Sequence, residues 1–296
     1  MKNIVLYLSA LVVAVSTAVP AAAEPWKVTI EDNLMVTQNA YSNNWAGSEA
    51  GSLSWTANSN TLAEKQMTSK MNSRNTAKLS YGLTYYQNEV TNKWGAPVKS
   101  TDLIDAESIL RFTLGKSVDP YTSLRFESQF YDSSDTEKKR YINPTTFTES
   151  AGIAKALIKQ DKKEWLTRLG LALKQKTDRD HLDQNTLERK NKNQSSGGIQ
   201  FISNFTSPYA ENKITYTNNL TVYQALANSE AESLKGQTNE DYWQAVDVNW
   251  EHILAVSISK YVMVNFYAQW LYDKEIALGG RFKETLALGV TYKLSY

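Results

Sequence analysis

Along most of the chain, apolar and polar side chains alternate with a period of two. The clearest run closes the sequence: Leu286, Leu288, Val290, Tyr292, Leu294 and Tyr296 share one parity, and Ala287, Gly289, Thr291, Lys293 and Ser295 the other. Six apolar positions in register describe a long strand, because successive strand side chains point to opposite faces whereas a helix repeats every 3.6 residues. Val262, Val264, Phe266, Ala268, Trp270 and Tyr272 form a second such face, with Asn265 and Gln269 opposite. Before it, Val246, Val248, Trp250, Leu254 and Val256 alternate with Asp247, Asn249 and Glu251.

Comparable runs fall near residues 53–63, 77–85, 104–114, 124–130, 147–157, 165–173, 199–205 and 214–223, with a weaker one around Leu34 and Val36, about twelve strands in all. The connections alternate in length. Those near 63–66, 116–121, 160–163, 208–212 and 259–260 are short, and those near 39–51, 87–101, 132–145, 175–197, 224–241 and 273–280 are long, polar and charged. Alternation of this kind predicts an all-β, antiparallel transmembrane β-barrel with short periplasmic turns, long extracellular loops and both termini periplasmic. A secreted soluble sandwich would also show one polar face per strand, but its loop lengths have no reason to alternate by end. The apolar faces also carry Trp55, Trp165, Trp250, Trp270, Tyr272 and Tyr292 near strand ends, where amphipathic rings favour a bilayer interface.

The first residues read differently. Lys2, an apolar stretch over 4–19 and the small residues Ala21, Ala22 and Ala23 form a secretory signal too short to span a bilayer. Cleavage after Ala23 is expected, leaving residues 24–296 as a single barrel domain inserted in the outer membrane. No later segment offers the roughly 18 consecutive apolar residues of a membrane helix.

Composition sharpens this picture. The 296 residues are 42% hydrophobic, with a mean hydropathy of −0.46, values of an ordinary soluble protein. A barrel strand, however, gives only every second residue to lipid, and long polar loops lower the average further. The absence of cysteine excludes disulfides, thiolate nucleophiles and lipid-modified cysteine, and two histidines leave little for a metal site or a catalytic base. A formal net charge of +1 gives no reason to expect a nucleic-acid partner. No cofactor is implied.

The closing run GVTYKLSY, opening at Gly289, resembles the C-terminal insertion signal of bacterial outer-membrane barrels, with Leu288, Val290, Tyr292, Leu294 and Tyr296 at its spaced apolar positions. The resemblance implies capture by the barrel assembly machinery, after passage with periplasmic chaperones, and a final environment of outer-membrane lipid. Three segments, 43–54 (NNWAGSEAGSLS), 250–273 and 282–294, resemble an uncharacterised family of small outer-membrane barrels known as a domain of unknown function. Ser48 departs from that family's paired glycines. The resemblance implies fold and location and carries no catalytic residue.

Chemistry has few candidates. His181, beside Asp178, Asp180 and Asp183, is the one cluster that suggests a barrel-embedded hydrolase, and its position in a long polar connection reads better as a solvated loop. The cluster lacks the glycine and terminal glutamate of a calcium loop. His252 shares the lipid-facing parity and is expected near the periplasmic end. Asn44, Trp45 and Gly47 suggest a loop folded into the barrel mouth or anchored to its wall. The remaining candidate is the lumen, which by parity receives Arg74, Lys78, Asp105, Glu107, Arg111, Arg125, Glu127, Arg168, Lys174, Asp247, Glu251 and Lys293. Both signs are present, so the lining predicts either a small-solute channel or binding barrel, or a pairing network that only holds the barrel's shape. A non-conducting surface barrel acting through its charged loops is the third expectation, motivated by residues 138–140 and 189–192.

Overall fold

A computed structural model describes residues 25–41, 50–115, 117–135, 137–182 and 188–295. The signal segment, Asn44, Trp45, Gly47, Asp183 and Tyr296 lie outside these. The strands are β1 Lys27–Asn39, β2 Ser52–Thr68, β3 Met71–Tyr86, β4 Val98–Phe112, β5 Asp119–Ser128, β6 Tyr131–Asp132, β7 Arg140–Tyr141, β8 Thr145–Lys159, β9 Glu164–Leu182, β10 Arg189–Tyr209, β11 Ile214–Asn228, β12 Val246–Ser257, β13 Val262–Tyr272 and β14 Arg281–Ser295. Twelve of them close into an antiparallel barrel in chain order, with β6 and β7 forming a separate small hairpin. Closure is made by β1 against β14, from Thr29 opposite Ser295 to Val36 opposite Leu288. Every strand of the barrel thereby finds two partners, as a barrel in lipid requires, because no water is available to satisfy an open edge.

Register shows why the sequence alternates. On β9, Leu169, Leu171 and Leu173 are exposed, Leu171 to 67%, while Leu166, Arg168 and Ala172 are buried. On β14, Leu286, Leu288, Val290 and Tyr292 are exposed, and Ala287 and Gly289 are buried. Trp165, Trp250, Trp270 and Tyr292 stand on this exposed parity. An apolar outer wall with interfacial aromatics around a polar interior inverts the usual soluble arrangement. Outward charges occur toward the strand ends, Lys155 nearer the short turns and Glu149 and Glu284 nearer the long connections, where the cost of facing lipid falls from about 2–4 kcal/mol toward zero.

Two connections depart from the sequence reading. The first short turn lies at 69–70 rather than 63–66, because β2 continues to Thr68 through a bulge and brings Glu64 onto the wall. The expected long loop at 175–197 is mostly a two-stranded ribbon, in which β9 and β10 stay paired up to Leu182 opposite Arg189. Beyond the barrel rim the ribbon meets no lipid, so no apolar alternation marks it. His181, Asp178 and Asp180 therefore sit on a strand, not in a solvated loop. His252 is likewise corrected: it lies midway along β12, opposite Asn218 and Ala268, and not at its turn end.

One close approach fixes part of the wall. Tyr121, Gly152 and Gly170 are neighbours on β5, β8 and β9. The buried Tyr121 ring supports the Arg168 guanidinium, 5.4 Å from its centroid. A Cβ on Gly152 would fall 2.1 Å from the Leu169 carbonyl oxygen, so the strands meet here only because both residues lack side chains.

Candidate functional site

Inward parity gathers charge from all around the ring. Arg74 Nη1 donates to both carboxylate oxygens of Glu164, at 2.7 and 3.0 Å, across three intervening strands. Arg168 grips Glu107 through both terminal nitrogens, at 2.6 and 3.0 Å, and Arg125 grips Asp105 at 2.8 and 3.0 Å. Glu127 adds a second carboxylate to Arg125 at 3.0 Å, and Arg111 lies 3.8 Å from Asp119. Two-point charge-assisted bonds of this kind hold orientation as well as charge.

The widest span is Lys78 to Glu251, at 3.9 Å. Around the ring of twelve, β3 and β12 are five steps apart, one short of diametrically opposite. Glu251 also accepts from the Tyr267 hydroxyl at 3.0 Å and the Asn219 amide at 3.3 Å, so this contact forms a bar across the bore. Toward the short turns, Glu64, Asn72, Arg74, Ile109, Arg111, Ala154, Leu166 and Arg168 enclose about 10 Å³, room for a single water at most. Apolar residues share this filling: Ile109, Tyr121, Ala154 and Leu166 form one buried cluster, and Met35, Met263 and Ala287 another. Lys293 pairs with Glu31 at 3.5 Å near the turn end and is more exposed than the others.

Toward the long connections the lumen opens. A cavity of about 570 Å³ is bounded by β5, by β8–β12 and by the connections after β5, β7, β11 and β13. Lys174 and Asp247 face each other there at 3.4 Å, and the Lys174 ammonium sits 3.6 Å from the centre of the Tyr223 ring. The lumen thus has a tightly paired half and a loosely paired half.

Parity alone found Arg74, Lys78, Asp105, Glu107, Arg111, Arg125, Glu127, Arg168, Lys174, Asp247, Glu251 and Lys293, and all twelve have an oppositely charged partner within 4 Å. It missed Glu64, Glu164, Asp119 and Glu31. The first three lie near the turns, where a run of two or three residues is too short to reveal a face.

Of the insertion-signal residues, Tyr292 and Leu294 share the outward parity of β14, and Gly289 lies inward, where a Cβ would meet the Met35 sulfur at 2.4 Å. The His252 ring nitrogen Nδ1 lies 2.8 Å from the Tyr216 hydroxyl and 3.2 Å from the Asn218 amide nitrogen on the outer wall. Its outward neighbours along and across the sheet are Trp250, Leu254, Asn218 and Ala268. His181 Nδ1 lies 2.8 Å from Asp178, but that carboxylate is already engaged by Arg140 and Asn143.

These last contacts belong to a polar knot beyond the barrel rim. Arg140 bridges Asp132 at 2.6 Å and Asp178 at 3.0 Å, and the fully buried Asn143 amide donates to both carboxylates. The hairpin β6–β7 is thereby clamped to the ribbon. Burial opposes ionisation of Asp132, but hydrogen bonds from Ser134 and Asn143 and the Arg140 charge outweigh it and hold the carboxyl below its ordinary range. A lowered folded pKa contributes stability in full above the ordinary value of about 4, and loses it as pH falls through the lowered value. Pepsin cleavage within residues 131–141 is therefore expected to rise only below pH of about 4. Cleavage that rises already above pH of about 5 would contradict this role for Asp132.

A closed antiparallel barrel with an apolar, aromatic-rich outer wall and a polar lumen defines an integral outer-membrane β-barrel. A model of the family described as "Protein of unknown function (DUF3078)" matches residues 36–133, from the end of β1 to β6, which bears out the likeness to a domain of unknown function there and takes in segment 43–54 but not 250–273 or 282–294. No curated protein matches the chain. Among solved structures it is similar to the COG4313 outer membrane channel from Pseudomonas putida F1, with 13% identity over 94% of this chain and 97% of that one and a TM-score of 0.44. It is also similar to the translocator domain of the autotransporter NalP from Neisseria meningitidis, with 11% identity over 98% and 96% and a TM-score of 0.36. At such identities nothing that those proteins carry is transferred to this one.

Proposed function

We propose that the chain is a non-enzymatic, narrow passage for small polar solutes across the outer membrane, with its short turns facing the periplasm. The observation that supports this best is the Lys78–Glu251 bar, which spans the bore beneath an open, polar vestibule. The Lys78–Glu251 pair and the closely filled lumen below it leave no wide path, so passage is slow and limited to small solutes. Mixed sign along the wall gives no ring of one charge and so little preference between cations and anions.

Liposomes containing the protein are expected to swell in glycine and not in sucrose, at rates above empty liposomes. Equal swelling in both solutes, or none in either, would remove the reading. The alternative of a surface-interaction barrel has less support, because most basic residues of 138–140 and 189–192 pair within the chain: Lys138 with Asp180, Arg140 with Asp132 and Asp178, Arg189 with Asp135 and Glu137, Lys190 with Glu188, and Lys192 with Glu230.

A further inference from the structure

The vestibule and the tight lower lumen treat charge differently. Below, each guanidinium of Arg74, Arg125 and Arg168 faces a carboxylate within 3.0 Å. Above, pairing is incomplete. Lys176, two residues along β9 from Lys174 on the same wall, has no ion-pair partner among the described residues. Asp273, at the end of β13 on the far wall, has none either. Both line the 570 Å³ cavity, and the pair between the walls, Lys174 and Asp247, is long at 3.4 Å. Tyr223, Tyr242 and Trp243 add aromatic surface to the lining. Trp243 packs against Ala172, Tyr223 and Ala225, and its buried indole nitrogen has no hydrogen-bond acceptor.

We propose that this vestibule binds a short, free peptide of two or three residues. Its carboxylate would lie toward Lys176, its ammonium toward Asp273, and its side chains over Trp243. An unpaired cation on β9 and an unpaired acid after β13 complement a zwitterion at both ends, whereas a simple anion or cation would meet repulsion from one of them. A volume of 570 Å³ is within the roughly 300–1,000 Å³ of small-molecule sites.

The proposal rests on the reading of the lumen as a route for small solutes, and its test is read without transport. Trialanine, N-acetyl-trialanine and trialanine amide are titrated calorimetrically into the detergent-solubilised barrel. Trialanine is expected to bind, and each cap to weaken binding by about tenfold, the cost of leaving one charged contact unmade. Lys176→Met should weaken trialanine and abolish the penalty of the C-terminal amide, and Asp273→Asn should do the same for the N-terminal acetyl group. Both variants should retain heat-modifiable gel migration, since neither residue lies in the paired lower lumen. Failure of trialanine to bind, or capped and free peptides binding alike, would overturn the proposal. Binding without liposome swelling would keep the site and remove the passage, and the reverse result would keep the passage and remove the site.

Discussion

An Arg168→Met variant is expected to lose about 3–5 kcal/mol of folding stability, because removing one partner strands the other as an uncompensated charge in the lumen. Arg168 is 2% exposed, holds both oxygens of Glu107 and rests on the Tyr121 ring, so no water can replace it without repacking. Adding Glu107→Leu should restore most of the loss, since a buried pair replaced on both sides by apolar groups is often neutral or better. Urea titration of the protein folded into phospholipid vesicles, followed by tryptophan fluorescence, measures both. A single variant as stable as the wild type, or a double variant no better than the single, would contradict the pairing described for this half of the lumen.

A Gly152→Val substitution should prevent the barrel from closing. Ordinary overpacking costs about 1–3 kcal/mol because side chains can move aside. Here the new Cβ would meet backbone, the Leu169 carbonyl oxygen at 2.1 Å and the Gly170 Cα at 2.4 Å, so β8 and β9 would have to separate. Gly197→Val is the control, because nothing lies within 4 Å of its would-be Cβ. The expected outcome is loss of the heat-modifiable band for Gly152→Val and its retention for Gly197→Val. Equal folding of both would show that the approach of the two strands is not obligatory.

The parts of this fold that could be read from sequence are those in which one face meets lipid. Leu286, Leu288, Val290 and Tyr292 announce β14 because the bilayer demands an apolar residue at every second position. Where that demand ends, so does the signal. Asp178 and His181 lie on paired strands, but above the membrane the ribbon has no apolar side and reads as loop. The lumen was half legible: parity brings Arg168 and Glu107 to the same side of the wall, but their meeting across two strands depends on barrel curvature, which alternation does not encode. Ile109, Leu166 and Met35 escaped for the opposite reason. They are apolar yet face inward, where they fill the space left between ion pairs. Tyr121, Gly152 and Gly170 form a unit only after three strands are placed in register.

Unitary conductance in planar bilayers is the most direct test of the claim that cross-lumen ion pairs set the bore. The wild type is expected to show small discrete steps. A Lys78→Ala/Glu251→Ala double variant, which removes the bar without stranding either charge, should fold normally and show clearly larger ones. A tight barrier in both proteins, or large steps of equal size in both, would contradict the account.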